Sequence, residues 1–274
     1  MIMPQQDKMK GQLFRPGILY CLLLFLLAGS ALALRTLGLT NTGVGGNDTI
    51  LYYTLAEHWF EGKYVFQIGD SIQVFRPALL AFYALALELI GHVDYAIKLA
   101  NSIVDSINVL LVAALAWLLS GRLAVSFCSA LVYALLPVAI WSARGELPHT
   151  LSTFFVLCSL VFAVLACGKI RYPFVLATLS GIFIAAAALT HEELILLALP
   201  LGIFVANPLA LRDRTLLPAA SIRLGCFLLA PICAALVILR FESAALEVLS
   251  APATMAEESR GYFSTTGRYL WNVL

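Results

Sequence analysis

Apolar runs about as long as a bilayer is thick recur along this chain, at 17–34, 97–119, 122–141, 148–167, 173–190, 194–210 and 223–239. A helical crossing of the hydrocarbon core takes roughly 20 predominantly apolar residues, whereas a barrel strand takes only about 10. Lipid offers the backbone no hydrogen-bond partners, so runs of this length must satisfy themselves as helices. Composition points the same way: 61% of residues are hydrophobic and 12% charged, against about 25% charged in a typical soluble domain. A soluble chain of 274 residues could fill a core without that excess. The expected fold is an all-α integral membrane protein, a polytopic helical bundle of about seven spans. A net charge of +1 gives no support to nucleic-acid binding, which needs a basic face to displace counterions. The six cysteines (Cys21, Cys128, Cys158, Cys167, Cys226 and Cys233) lie in or beside apolar runs and form no CxxC pair. They read as small bundle- or lipid-facing residues rather than a zinc site or disulfide framework.

The joints between runs set an expected orientation. Lys8, Lys10 and Arg15 precede the first run. It reads as an uncleaved signal-anchor, although Ala31-Leu32-Ala33 has the form of a signal-peptidase site. Residues 77–90, about 14 in number, are short for a crossing. If that segment does not cross, Arg122, Lys169 with Arg171, and Arg212 with Arg214 all fall inside, while Glu146 and His191-Glu192-Glu193 fall outside with Asp48, as the positive-inside rule asks. This gives a cytoplasmic N-terminus at 1–15, a membrane module at 16–240 whose first outside loop is 35–76, and an outside stretch at 241–274. The last residues, Arg268 to Leu274, look like the start of another span, so a fragment or shortened form of a longer protein is expected.

The polar residues in these joints are the candidates for chemistry. Asp48 follows Gly45-Gly46-Asn47, where the backbone is free to turn and present a carboxylate. It could equally cap a short helix at about 49–60, whose Tyr52, Leu55, Ala56 and Trp59 share a face suited to the membrane interface. Arg76, before Pro77, could clamp a phosphate with its planar fork or anchor a segment end by snorkelling. Glu146 could be a second catalytic or cation-binding carboxylate, or pair with the nearby Arg144. His191-Glu192-Glu193 could contribute to a metal site, although adjacent helical residues point in different directions. Asn101, Asp105 and Asn108, spaced four and three apart, share one helix face. Such residues serve either an ion path or, more commonly, interhelical hydrogen bonds.

Taken together, the motifs resemble the N-terminal module of the GT-C glycosyltransferases, membrane enzymes that take sugar from a polyprenyl-phosphate donor and include protein O-mannosyltransferases and aminoarabinose transferases. The residues that carry the resemblance are Asp48-Thr49-Ile50-Leu51-Tyr52, Ala56, Gly62, Tyr64, Arg76-Pro77, Glu146 and Leu189-Thr190-His191-Glu192-Glu193-Leu194. Thr49 stands where the family has a second acid, and His191 where it has a basic residue. The resemblance implies a catalytic first outside loop with Asp48 as general base, Arg76 on the donor phosphate, and Glu146 orienting the acceptor or helping to hold a divalent cation (Mg or Mn). Tyr52, His191 and Glu192 are the further expected contacts to substrate or cation. It also implies inversion at the anomeric carbon, a lipid, glycan or protein acceptor, and a bacterial inner membrane with the site facing the periplasm or cell exterior. Two other readings stand beside it: a secondary transporter or lipid-carrier flippase working through Asp105, and a non-catalytic fragment of a larger transferase.

Overall fold

The computed structural model describes residues 17–41, 47–59, 67–68, 71–72, 76–93, 95–168, 172–206 and 217–250, with the side chains of 41, 47–51, 67–68, 71–72 and 241–250 outside that description. The chain is a helical bundle. Helix α1 covers Ile18–Thr36, α2 Asn47–Glu57, α3 Pro77–Ile90, α4 Ala96–Ser120, α5 Leu123–Leu135, α6 Pro137–Ala143, α7 His149–Cys167, α8 Pro173–Thr190, α9 Ala198–Ala206 and α10 Leu217–Ser250. A short antiparallel pair, β1 (Gln67–Ile68) with β2 (Ser71–Ile72), lies between α2 and α3.

Among the described residues five helices are long and apolar enough to cross a membrane: α1, α4, α7, α8 and the Leu217–Arg240 part of α10. A sixth crossing is counted if α5 and α6, bent by 59° at their junction, form one broken span. The protein is therefore a multi-pass helical membrane protein. The expected run at 194–210 takes a different form, a 3₁₀ turn at Glu192–Leu197 followed by the nine-residue α9. The outside tail expected from residue 240 is helical as far as Ser250. The further span expected near 268–274 lies outside the described residues.

Local chemistry explains the element ends. Pro77 opens α3 at a position where its missing N–H costs nothing, and Gly91 (φ 110°) closes it in a conformation few other residues adopt. Pro137 cannot donate to the turn before it, and it holds Leu136 extended (ψ 118°), which breaks α5 from α6. The α2 helix keeps the face expected of it, but that face is not laid on lipid. Tyr52 and Ala56 are buried against Leu79, Leu80 and Tyr83 of α3, Ile97 of α4 and Leu151 of α7.

Small residues set the packing elsewhere, as membrane bundles require, because lipid supplies no hydrophobic drive between helices. Helices α7 and α8 exchange hydrogen bonds through Ser159 and Ser180, each hydroxyl donating to the other's carbonyl at 2.8 and 2.9 Å. Helix α8 meets α10 so closely that a Cβ on Gly181 would lie 2.0 Å from the Phe227 carbonyl oxygen.

Cross-contacts show which joints share an end of the bundle. Arg144 donates to the Leu37 carbonyl (2.9 Å), Asn101 to that of Gly145 (2.8 Å), and His149 stacks on His191. The end of α1, the start of α4, the end of α6, the start of α7 and the end of α8 are thus together. The acidic joints around Glu146 and Glu192 both sit at this end. At the opposite end Ser126 donates to the Ala113 carbonyl (2.5 Å) and Arg223 to that of Ala166 (3.4 Å).

Candidate functional site

Helix α4 is the polar spine of the shared end. Lys98, Asn101, Asp105 and Asn108 fall at spacings of three, four and three, one stripe of a helix, and all four are buried. Lys98 and Asn101 both meet the joint at Gly145–Glu146, Asp105 meets α1 and α5, and Asn108 meets α7, so the stripe builds the two inner of three levels at the polar end.

The deepest level is closed. Arg35 of α1 and Asp105 pair through Nε and Oδ2 at 2.5 Å, with side chains 0% and 2% exposed. Tyr133 donates to Asp105 Oδ1 at 2.6 Å and Asn108 at 3.3 Å. Arg35 also donates to the carbonyls of Ala31 (3.2 Å) and Ala134 (3.1 Å). Ala134 lies in the last turn before the Pro137 break, so Arg35 takes up a carbonyl that the interrupted helix leaves open. A buried charge is tolerated when it is paired and hydrogen-bonded, and this pair is both. Asp105 belongs to an interhelical lock.

The middle level forms a floor. Lys98 pairs with Glu146 at 3.3 Å, both side chains 4% exposed. Asn101 donates to the Tyr83 hydroxyl (3.1 Å) as well as to Gly145, and Tyr83 donates to the Leu147 carbonyl (3.1 Å). Burial pushes the Tyr83 phenol well above its usual range, so it remains a neutral donor. Glu146 is therefore a buried, paired carboxylate, and its partner is Lys98 of α4. The expected pairing with Arg144 does not occur, because the Arg144 guanidinium reaches across to α1 instead.

The outer level is partly open. Arg76, at the head of α3, donates from Nη1 to the Tyr52 hydroxyl at 2.6 Å, and its guanidinium carbon lies 5.6 Å from the Tyr52 ring centre. Its Nε faces Glu192 Oε2 at 3.5 Å, with side chains 17% and 26% exposed. His191, one residue earlier, stacks on His149 of α7 at 6.0 Å between ring centres. His191 Nδ1 and Glu192 Oε2 are buried atoms without a hydrogen-bond partner. Four residues singled out in the sequence, Tyr52, Arg76, His191 and Glu192, thus meet although they come from three separate segments. Glu146 lies beneath them, coupled electrostatically to Tyr83 as Tyr52 and Arg76 also are.

The Asp48 side chain lies outside the described residues. Its backbone is in the first turn of α2, which starts at Asn47, so position 48 is inside the helix rather than in front of it. Position 48 precedes Tyr52 by one helical turn, on the same stripe. Among the described residues no group of three or more His, Cys, Asp or Glu is placed to hold a metal ion.

Sequence reasoning passed over Lys98, Tyr83, His149, Arg35 and Tyr133. For Lys98 the signal was present, since it continues the Asn101–Asp105–Asn108 stripe by three residues. His149 sits at the same bundle end as His191, which a single-segment reading cannot reveal.

These features define a multi-pass helical membrane protein with its polar side chains gathered in levels at one end. No family model, curated protein or solved structure matches the chain.

Proposed function

We propose that this protein is a membrane glycosyltransferase of the GT-C kind, moving a sugar from a polyprenyl-phosphate donor to an acceptor hydroxyl with inversion. The observation that carries the reading is the convergence of Tyr52, Arg76, His191 and Glu192 at a partly open bundle end. A partly exposed arginine at the head of a helix suits a phosphate, because its fork and the helix N-terminus both favour an anion.

In this mechanism the Asp48 carboxylate takes the proton of the acceptor hydroxyl. The hydroxyl oxygen bonds to the anomeric carbon as the bond from that carbon to the phosphate oxygen breaks. Polyprenyl phosphate departs with the electron pair, and Arg76 offsets its growing charge. Tyr52 holds Arg76 in place from below and beside it. Glu146, paired to Lys98, orients the joint that carries the acceptor side of the site, and a divalent cation has no step assigned to it. The full proposal includes the seven-crossing topology, which requires 194–210 to cross, and a bacterial inner membrane with the site on the periplasmic or outer side. The acceptor is a lipid, glycan or protein hydroxyl.

The transporter reading depends on an available Asp105, and Asp105 is held by Arg35, Tyr133 and Asn108. The test is sugar transfer from polyprenyl-phosphate donors by the purified protein, with Asp48→Asn beside it. Transfer lost in the variant supports the mechanism, and undiminished transfer removes Asp48 from it. Absence of transfer by the unaltered chain on any such donor would favour the non-catalytic reading.

A further inference from the structure

The Arg76–Glu192 pair differs from the two buried ion pairs at this end of the bundle, Arg35–Asp105 and Lys98–Glu146. The two buried pairs are dry, with side chains 0–4% exposed, and Arg35–Asp105 closes to 2.5 Å. Arg76 and Glu192 face each other at 3.5 Å with 17% and 26% of their side chains exposed. Glu192 Oε2 makes no hydrogen bond. Arg76 is held firmly on one edge only, through Nη1 to Tyr52. Among the described residues its Nη2 makes no hydrogen bond. Two imidazoles stand alongside: His191 with an unpartnered, buried Nδ1, and His149, close enough to Arg76 for their charges to interact. Arg76 and the residue before Glu192, His191, thus stand beside a loosely held carboxylate, and His149 stacks on His191.

We propose that Glu192 is a resident counter-ion that a phosphate group displaces, and that His149 joins Arg76 and His191 in holding that phosphate. The inference rests on the transferase reading for the identity of the ligand, and it adds an exchange step and a residue. In the empty site Glu192 neutralises Arg76. When a phosphate arrives, its oxygens take Nε and Nη2 of Arg76 while the imidazole N–H groups donate to the remaining oxygens. Glu192 then swings away toward water. No bond is made or broken in this exchange. The shared chemistry is a phosphate group, esterified in the donor and in the released lipid carrier or free in solution.

The experiment measures binding to the full chain in lipid nanodiscs, with polyprenyl phosphate, inorganic phosphate and uncharged polyprenol as probes. Removing a competing carboxylate with Glu192→Gln should tighten polyprenyl phosphate binding on the order of fivefold, the scale of a partly exposed ion pair. His149→Asn should weaken it by a similar factor, and polyprenol should respond to neither change. Inorganic phosphate following the same pattern assigns the site to the phosphate group itself, and a response confined to the lipid probe assigns it to the lipid-linked headgroup. Either outcome supports the exchange. Unchanged or weaker phosphate binding in Glu192→Gln overturns it, and unchanged binding in His149→Asn removes His149. Binding is read without turnover, so these results remain distinct from a failure of the wild-type chain to transfer sugar.

Discussion

Among the described residues two arginines meet carboxylates, and the contrast between them separates structure from chemistry. Arg35 is fully buried, tightly paired with Asp105 and bonded to two carbonyls, in the middle of α1, α4 and α5. Arg76 is partly exposed, loosely paired with Glu192 and placed at a helix end. The Arg35 pair is dry and out of a ligand's reach, although Arg35 Nη2 has no hydrogen-bond partner, and breaking it strands a charge. An open, unsaturated pair contributes little to folding and can change partners. The difference is of environment, since both are Arg–carboxylate pairs made between distant segments.

That contrast is open to attack by mutation. The largest effect expected is from Asp105→Ala, which leaves Arg35 buried without a counter-charge and should cost about 3–5 kcal/mol of stability, read as unfolding in mixed detergent micelles. The paired replacement Arg35→Leu with Asp105→Leu should recover most of that loss, because the desolvation cost disappears along with the attraction. A double variant as unstable as Asp105→Ala would mean that the pair does more than neutralise itself.

Next in size is Gly181→Ala at the α8–α10 contact, where the new methyl meets backbone rather than a movable side chain. Overpacking of this kind should cost about 1–3 kcal/mol, and a neutral result in the same unfolding assay would show that the helices can separate freely. Arg76→Gln reverses the pattern. Its stability should stay within about 1 kcal/mol of the parent, while transfer should fall by roughly 10²–10³-fold, the scale of losing a fixed charge from a transition state.

The bundle was legible because length and apolarity suffice to call a crossing helix, and the short segment at 77–90 was recognisable as too short. The break at Pro137 and the 3₁₀ turn after His191 were not. Both lie inside apolar stretches where hydropathy is uniform, and only the backbone geometry around a missing donor or an extended residue separates them. The outer site was legible as residues, since Tyr52, Arg76, His191 and Glu192 each stood out in a joint. Their meeting was foreshadowed only by the common side that the charge pattern of the joints led one to expect for them. For Glu146 one of the two roles weighed was a pair with Arg144, which proximity in sequence favours, whereas the α4 stripe presents Lys98 to it from across the bundle. The spacing of Lys98 from Asn101 carried that information.

Arg76 is the proposed working arginine, and Asp105 the structural acid. The most direct measurement compares Arg76→Gln with the Arg35→Leu, Asp105→Leu double variant in nanodiscs, following sugar transfer from a polyprenyl-phosphate donor alongside substrate flux in proteoliposomes. The account predicts that transfer is lost in the first at near-parental stability and retained in the second. Flux that disappears in the double variant while Arg76→Gln behaves as the parent would contradict it.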